Sequence, residues 1–270
     1  MIAFSLGSIH IYWYGIFYLV TCLLGYGFLW RVGKQKRFKQ YPGVQNLLTS
    51  GVDDLILATI IWVLVWWRLG HVFIYDRPHY QNNLTEIFAL WHGGMSFIGG
   101  ILWVIIAIFV VERMYKLSRK EFFIVFDLLL LIIPIWIVLW RIGNFLNQEL
   151  YGVVVPETLS WLHDIWLTHV YSKVDWYMRF NTNFISAFFE WLVMWITLVV
   201  LLFKQRWQKK WQPGLITVTF IIAYSVIRFW LEYLRQDSQF EYIGPLTTTQ
   251  WFMLLFLGFG FVLWYFYESE

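Results

Sequence analysis

The sequence predicts an all-α polytopic membrane protein of about seven transmembrane helices with a small external cap, and three observations lead there. Of its 270 residues, 60% are apolar and only 14% are charged, against about 25% charged in a soluble domain. The apolar residues gather in runs of the length that a hydrocarbon core ~30 Å thick requires, about 20 residues of helix. The basic residues gather in alternate connections between those runs, the pattern by which short loops record the cytoplasmic side of a membrane.

The runs lie near Ile11–Trp30, Val52–Tyr75, Ser96–Val111, Phe122–Trp140, Phe184–Phe203, Leu215–Leu234 and Thr249–Tyr267. The first is long enough to span and is followed by charge, not by a small-residue cleavage site, so it reads as a helix that stays. The third is short, and the sixth contains charges. Arg31, Lys34, Lys36, Arg37 and Lys39 follow the first run; Arg113, Lys116, Arg119 and Lys120 follow the third; Lys204, Arg206, Lys209 and Lys210 follow the fifth. This places the N-terminus outside and the C-terminus in the cytoplasm. Residues 1–270 read as a single integral membrane domain, within which the polar stretch 141–183 is too long for a connector and is expected to form the external cap. Such a composition excludes a disordered chain, a coiled coil, a disulfide scaffold and a nucleic-acid-binding module. The net charge of +3 is therefore a mark of topology and does not imply a nucleic-acid partner. Cys22 is the single cysteine, and no Cys/His cluster has metal-site spacing, so neither a disulfide nor a metal is expected. Trp13, Trp66, Trp67, Trp91, Trp140, Trp207 and Trp211 sit near run ends and read as interfacial belts.

Charges inside apolar runs are more informative. Arg68, Arg141 and Arg228 fall within or at the ends of predicted spans, where a charge costs about 2.5 kcal/mol or more and needs a partner or a wet cavity. Tyr224, Arg228, Glu232 and Arg235 recur at helical intervals, which predicts one polar stripe on one helix face. One reading is an internal salt bridge that holds helices together, since Glu232 can neutralise either arginine. The surplus positive charge suits an anion, and at a membrane surface the available anion is a lipid phosphate. A second cluster, Arg141-Ile142-Gly143-Asn144-Phe145-Leu146-Asn147-Gln148-Glu149-Leu150-Tyr151-Gly152, is a dense hydrogen-bonding surface where the fourth run ends; a plain helix terminus can look similar. A third, Trp91-His92-Gly93-Gly94-Met95-Ser96-Phe97-Ile98-Gly99-Gly100, suggests a re-entrant segment or close helix packing.

Taken together these segments resemble the bacterial prolipoprotein diacylglyceryl transferases. The stretch Arg141–Gly152 matches that family's signature, departing at Trp140, where a glycine is usual. Tyr14-Gly15 after Trp13, Arg68-Leu69-Gly70, Gly93 to Gly100 and the Tyr224/Arg228/Glu232/Arg235 stripe follow in the family's order. The resemblance implies transfer of the diacylglyceryl group from phosphatidylglycerol to the lipobox cysteine thiol of prolipoproteins, in the bacterial cytoplasmic (inner) membrane, with a thioether formed and glycerol phosphate released. Its implied partners are phosphatidylglycerol, the prolipoprotein and membrane lipid, and it implies no cofactor. By similarity Arg141, Arg228, Glu149 and Glu232 are the catalytic set. Tyr14, Arg68, His92, Gly94, Ser96, Asn144, Asn147, Gly152, Tyr224 and Arg235 are expected to bind substrate.

The chain also departs from its resemblance. Ile98 occupies the place of a usual histidine or tyrosine and can neither take a proton nor donate a hydrogen bond. His71 stands where relatives often have tyrosine. Phe184-Ile185-Ser186-Ala187-Phe188-Phe189-Glu190 keeps only the serine and the glutamate of a family motif. These changes leave two alternatives to an active, divergent enzyme: a non-catalytic relative that binds phosphatidylglycerol or lipoprotein signal segments, and a small anion transporter.

Overall fold

The computed structural model describes residues 2–6, 9–58, 60–61, 72, 77–83, 109–207, 212–236 and 242–268. Among them, the helices long and apolar enough to cross a membrane are Trp13–Gly33, Arg119–Asn147, Thr182–Gln205, Leu215–Leu234 and Thr248–Tyr265. They coincide with the first, fourth, fifth, sixth and seventh runs read from the sequence. The other two runs, Val52–Tyr75 and Ser96–Val111, fall largely outside the described residues. The chain divides into two compact units, residues 1–25 with 123–270, and residues 26–122.

The chain begins as an antiparallel hairpin, β1 (Ile2–Leu6) and β2 (Ile9–Tyr12), that leads into α1 (Trp13–Gly33). In the 26–122 unit, α2 (Pro42–Ser50) opens on a proline, which lacks an N–H in a turn that has no acceptor for one. Its next donors go to Glu121, whose Oε1 accepts from Gly43 N at 2.6 Å and Val44 N at 3.4 Å. The other oxygen of Glu121 accepts from Ser118 N and Oγ at 2.9 and 2.8 Å. One buried carboxylate thus caps α2 and closes a Ser-x-x-Glu capping box at the start of α3 (Arg119–Leu130).

In the larger unit, α3 is followed after a turn at Leu131 and Ile132 by α4 (Ile133–Asn147), and Pro134 sits in the first turn of α4, the one place in a helix that tolerates it. The polar residues from Arg141 to Asn147 therefore lie on the last two turns of α4 and do not follow it, as the sequence reading had them. The connection to the next span is built of extended chain. Strands β3 (Thr168–Val170) and β4 (Met178–Phe180) form a hairpin. On its other edge β4 bonds to residues 152–155, through Gly152 N to Phe180 O at 3.1 Å and Val155 N to Met178 O at 2.9 Å. Residues 151–153 bond in turn to 234–236, through Val153 N to Leu234 O and Gln236 N to Tyr151 O, both at 3.0 Å. The all-α expectation thus holds for the spans and fails for this connection. Buried Arg179 crosses it, donating to Gly152 O at 3.1 Å, Gln236 Oε1 at 3.2 Å and the Asp175 carboxylate, with its guanidinium 5.0 Å from the Tyr151 ring centroid.

The fifth run is α5 (Thr182–Ser186), a π-helical stretch from Ala187 to Val193, and α6 (Met194–Trp207). Then come α7 (Leu215–Leu231), the small hairpin β5 (Tyr242–Ile243) and β6 (Leu246–Thr247), and α8 (Thr248–Glu268), which packs on α7. Thr247 and Gln250 form the capping box of α8, each side chain accepting from the other's N–H. The N-terminus of α7 follows Gly214 and has no local cap. Fully buried Asp127 of α3 supplies it, accepting from Gly214 N at 2.8 Å, Thr217 N at 2.8 Å and Thr217 Oγ1 at 2.7 Å. A carboxylate here also opposes the positive end of the helix dipole.

Asp127→Ala strands those donors in a buried place, so stability is expected to fall by about 2 kcal/mol or more, read as a lower melting temperature in detergent; Asp127→Asn, which keeps one acceptor, loses less. The Arg179 hydrogen bonds hold the Asp175 carboxyl below the usual carboxylate range. A depressed folded pKa adds stability above the unfolded value of about 3.9 and loses it as pH falls through the folded value. Asp175→Asn is therefore expected to flatten the acid side of the melting-temperature profile.

Candidate active site

Two buried arginines, a half-buried third and two buried glutamates form a continuous ion-pair chain. Arg141 of α4 presents its fork to Glu190, with Nε to Oε2 at 3.1 Å, Nη2 to Oε2 at 2.9 Å and Nη2 to Oε1 at 3.1 Å. The same carboxylate faces Arg228 of α7, Oε1 to Nε at 3.6 Å. Arg228 Nη2 reaches Glu232 Oε2 at 2.6 Å, and Arg235 Nη1 approaches that oxygen at 3.4 Å. The side chains of both glutamates are 0% exposed and none of the arginines exceeds 10%. Burial of this depth is tolerated because each charge meets its opposite with matched geometry.

Glu190 is the residue whose role the sequence reading missed. It appeared only as a survivor of an eroded motif, yet it joins two helices far apart in the chain. It sits inside the π-helical stretch, where the extra backbone residue shifts the facing of the side chains that follow. An isolated glutamate in an apolar run, the same sign that singled out Arg141 and Arg228, was the available signal.

The predicted stripe is corrected in one respect. Tyr224 and Arg228 belong to α7, but the α-helix ends at Leu231, Glu232 to Leu234 form a 3-10 turn, and Arg235 is extended. Glu232 remains within reach of both arginines because the tightened turn keeps it near Arg228, while Arg235 joins the extended chain in a β-bridge to Gly152. Tyr224 stacks on Phe220 with ring centroids 5.6 Å apart and makes none of the ion-pair contacts.

A second group sits three residues along α4 from Arg141, hence on the same face. The Tyr14 hydroxyl of α1 meets both Asn144 Oδ1 and Glu149 Oε1, and with one proton it donates to one at a time. Asn147 Nδ2 donates to the same Glu149 oxygen at 2.8 Å, and Asn183 Nδ2 holds the Glu149 carbonyl at 2.9 Å. Glu149 is delivered by the way α4 stops. Gln148 is left-handed at φ 58°, its N–H bonds Phe145 O at 3.0 Å, and Glu149 N bonds Asn144 O at 3.1 Å, the paired closure of a Schellman turn. Leu150 also has a positive φ, 56°. Left-handed residues without glycine's freedom cost roughly 1 kcal/mol each, and here two of them flank the carboxylate.

Two glycines of the signature are explained by close approach. A Cβ on Gly143 would stand 2.6 Å from Tyr14 Cε1, and one on Gly152 would stand 2.8 Å from Leu234 O and closer still to Phe180 O. Gly152, expected to bind substrate, is occupied in joining the Arg235 and β4 chains. Trp140, expected in an interfacial belt, is half-buried and packs against Tyr14, Tyr18 and Trp136, with centroids 4.9, 5.8 and 5.7 Å away. Arg68, His92, Gly94, Ser96 and Ile98 lie outside the described residues.

Among the described residues, two buried donors of this region, Arg228 Nη1 and Asn144 Nδ2, have no acceptor. Donors left over beside a cluster of three guanidiniums and two carboxylates suit an anionic ligand with acceptor oxygens.

The fold and site define a polytopic membrane protein with a buried, net-cationic polar centre between its helices. The family model of the prolipoprotein diacylglyceryl transferases matches residues 1–266, and the chain belongs to that family. It is 30% identical to a phosphatidylglycerol–prolipoprotein diacylglyceryl transferase of Hydrogenovibrio crunogenus, over 97% of this chain and 93% of the relative. Relatives of the same name from Rickettsia felis and Nitratidesulfovibrio vulgaris are 33% and 32% identical, over 90% and 96% of this chain and 86% and 90% of their own.

Removing one side of a buried ion pair strands the other charge. Glu190→Ala is therefore expected to cost about 3–5 kcal/mol of stability, read as a detergent melting temperature far below that of Glu149→Ala; equal effects would mean that Glu190 does not bridge the two arginines.

Proposed function

We propose that the chain transfers the diacylglyceryl group of phosphatidylglycerol to the lipobox cysteine thiol of prolipoproteins. The thiol gives up its proton to water, its sulfur forms a bond to the glyceryl carbon that carries the phosphate ester, the carbon–oxygen bond to that phosphate breaks with its electron pair going to the phosphate oxygen, and glycerol phosphate leaves with that charge. Membership of the family and relatives named for this activity support the reading. The single observation that carries it at the site is the surplus guanidinium charge of the Arg141–Glu190–Arg228–Glu232–Arg235 chain beside the unfilled donors of Arg228 and Asn144.

In this reading the phosphate is held by Arg228 and Asn144, and Arg141 and Arg228 stabilise the negative charge that grows on it as the carbon–oxygen bond breaks. Glu190 and Glu232 hold those guanidiniums in place, and Arg235 steadies Glu232. Tyr14, Asn147 and Glu149 position the glycerol headgroup through the hydroxyl, amide and carboxylate they bring together, and Tyr224 lines the site. Arg68, His92, Gly94 and Ser96 complete the substrate contacts, and Gly152 keeps the bridge to Arg235 tight. An electropositive surrounding also favours the thiolate form of the incoming cysteine. The enzyme acts in the bacterial inner membrane as a single domain of seven spans, N-terminus outside and C-terminus in the cytoplasm, with 141–183 as an external cap. The alternation of basic loops supports that orientation.

The test is a transfer assay with purified protein, phosphatidylglycerol and a fluorescent lipobox peptide. The expected result is a mass shift of one diacylglyceryl group; lipid binding without an adduct would mean the non-catalytic alternative, and anion flux in vesicles the transporter. Arg141→Ala is expected to cut transfer by about 10²–10³-fold, and Arg141→Lys to restore little of it, because a point charge cannot fill the bidentate geometry. Ile98→His is expected to leave the rate unchanged or raise it, since it returns a protonatable group to the place where relatives carry one.

A further inference from the structure

The two span-length helices Arg119–Asn147 and Thr182–Gln205 are consecutive, so the chain between them must leave and re-enter the membrane at one face. Its ends are fastened there, through Thr182 Oγ1 to Leu150 O at 2.5 Å and Asn183 Nδ2 to Glu149 O at 2.9 Å. The segment has its own interior, in which Leu162, Tyr171 and Arg179 are buried. Four large aromatic side chains are nonetheless left outside: Trp161 at 69% exposure, Trp166 at 52%, Trp176 at 83% and Tyr177 at 65%. Their exposure is not an unformed core, because the core of this segment exists.

We propose that residues 157–177 lie against the bilayer, with Trp161, Trp166, Trp176 and Tyr177 set into its headgroup region. Amphipathic rings of this kind settle where one edge meets hydrocarbon and the other meets water. Trp166 adjoins the outward surface of the next span. Trp166 packs on Phe188 with centroids 5.8 Å apart, and Phe188 and Phe189 are themselves 40% and 41% exposed on that helix. The attraction is not electrostatic. Between residues 157 and 177 the acidic Glu157, Asp164 and Asp175 outnumber the single basic Lys173, so insertion of rings, and not pairing with lipid phosphates, must hold the segment down. Such an anchor keeps the extended chain that joins Gly152 to Arg235 at the level of the lipid headgroups. The proposal rests on the spans alone and not on the transfer reaction.

The experiment places an environment-sensitive label on Trp161→Cys or Trp176→Cys, in a Cys22→Ser background, with the protein in phosphatidylglycerol-containing nanodiscs. Tyr177→Cys replaces either variant that does not fold, and exposed Lys39→Cys serves as the control. Labels at 161 and 176 are expected to be quenched more strongly by headgroup nitroxide lipids than by aqueous iodide, with no change as salt is raised. Dominant iodide quenching overturns the proposal. So does iodide quenching that is relieved only when a lipobox peptide is added, which would assign the surface to that peptide, and so does lipid quenching that salt abolishes.

Discussion

Glu190 is the constraint on which the polar interior depends. A lone guanidinium inside a membrane protein is costly, and two of them on facing helices repel each other. By accepting the fork of Arg141 on one side and approaching Arg228 on the other, one carboxylate turns two costly charges into a connection between α4 and α7. The π-helical stretch that carries it is the local expense of that arrangement, since an uninterrupted α-helix would present the residues after Glu190 on a different face. Glu232 repeats the logic one turn further along, and the odd number of charges leaves the centre cationic.

Around this chain the structure spends backbone conformation to place side chains. The Schellman closure of α4 and the left-handed residues Gln148 and Leu150 turn Glu149 back toward Tyr14 and Asn147. The loss of a Cβ at Gly143 brings the Tyr14 ring onto α4, and its loss at Gly152 lets three extended segments meet. Arg179 then binds those segments with one guanidinium. The signature from Arg141 to Gly152 is thus less a row of ligand-binding groups than a helix end, a turn and a strand start, each residue serving the next.

The helix starts follow a common rule. Where the sequence supplies a local cap, as at Ser118 with Glu121 and Thr247 with Gln250, the helix begins on its own residues. Where it does not, as at Gly214, a buried carboxylate from another helix completes the turn. Asp127 therefore sets the position of α7 along its axis, and with it the heights of Arg228 and Glu232. This links a charge deep in α3 to the helix that carries Arg228.

The sequence by itself determined the membrane class, five of the spans now described, that Arg141 and Arg228 need partners, and the family, because composition, run length and motif spacing are properties of neighbouring residues. It also marked Asn144 and Glu149 through their place in the signature, and Tyr14 separately; that the three meet is a contact of the folded chain. Only the tertiary structure decided that Glu190 pairs with Arg141, that Arg235 leaves the helix to bridge Gly152, that Trp140 packs on Tyr14, and that Asp127 caps a helix some ninety residues away in sequence. Each of these is a contact between residues far apart along the chain, and a buried charge announces in the sequence only that it needs a partner; which partner it meets is fixed when the helices pack.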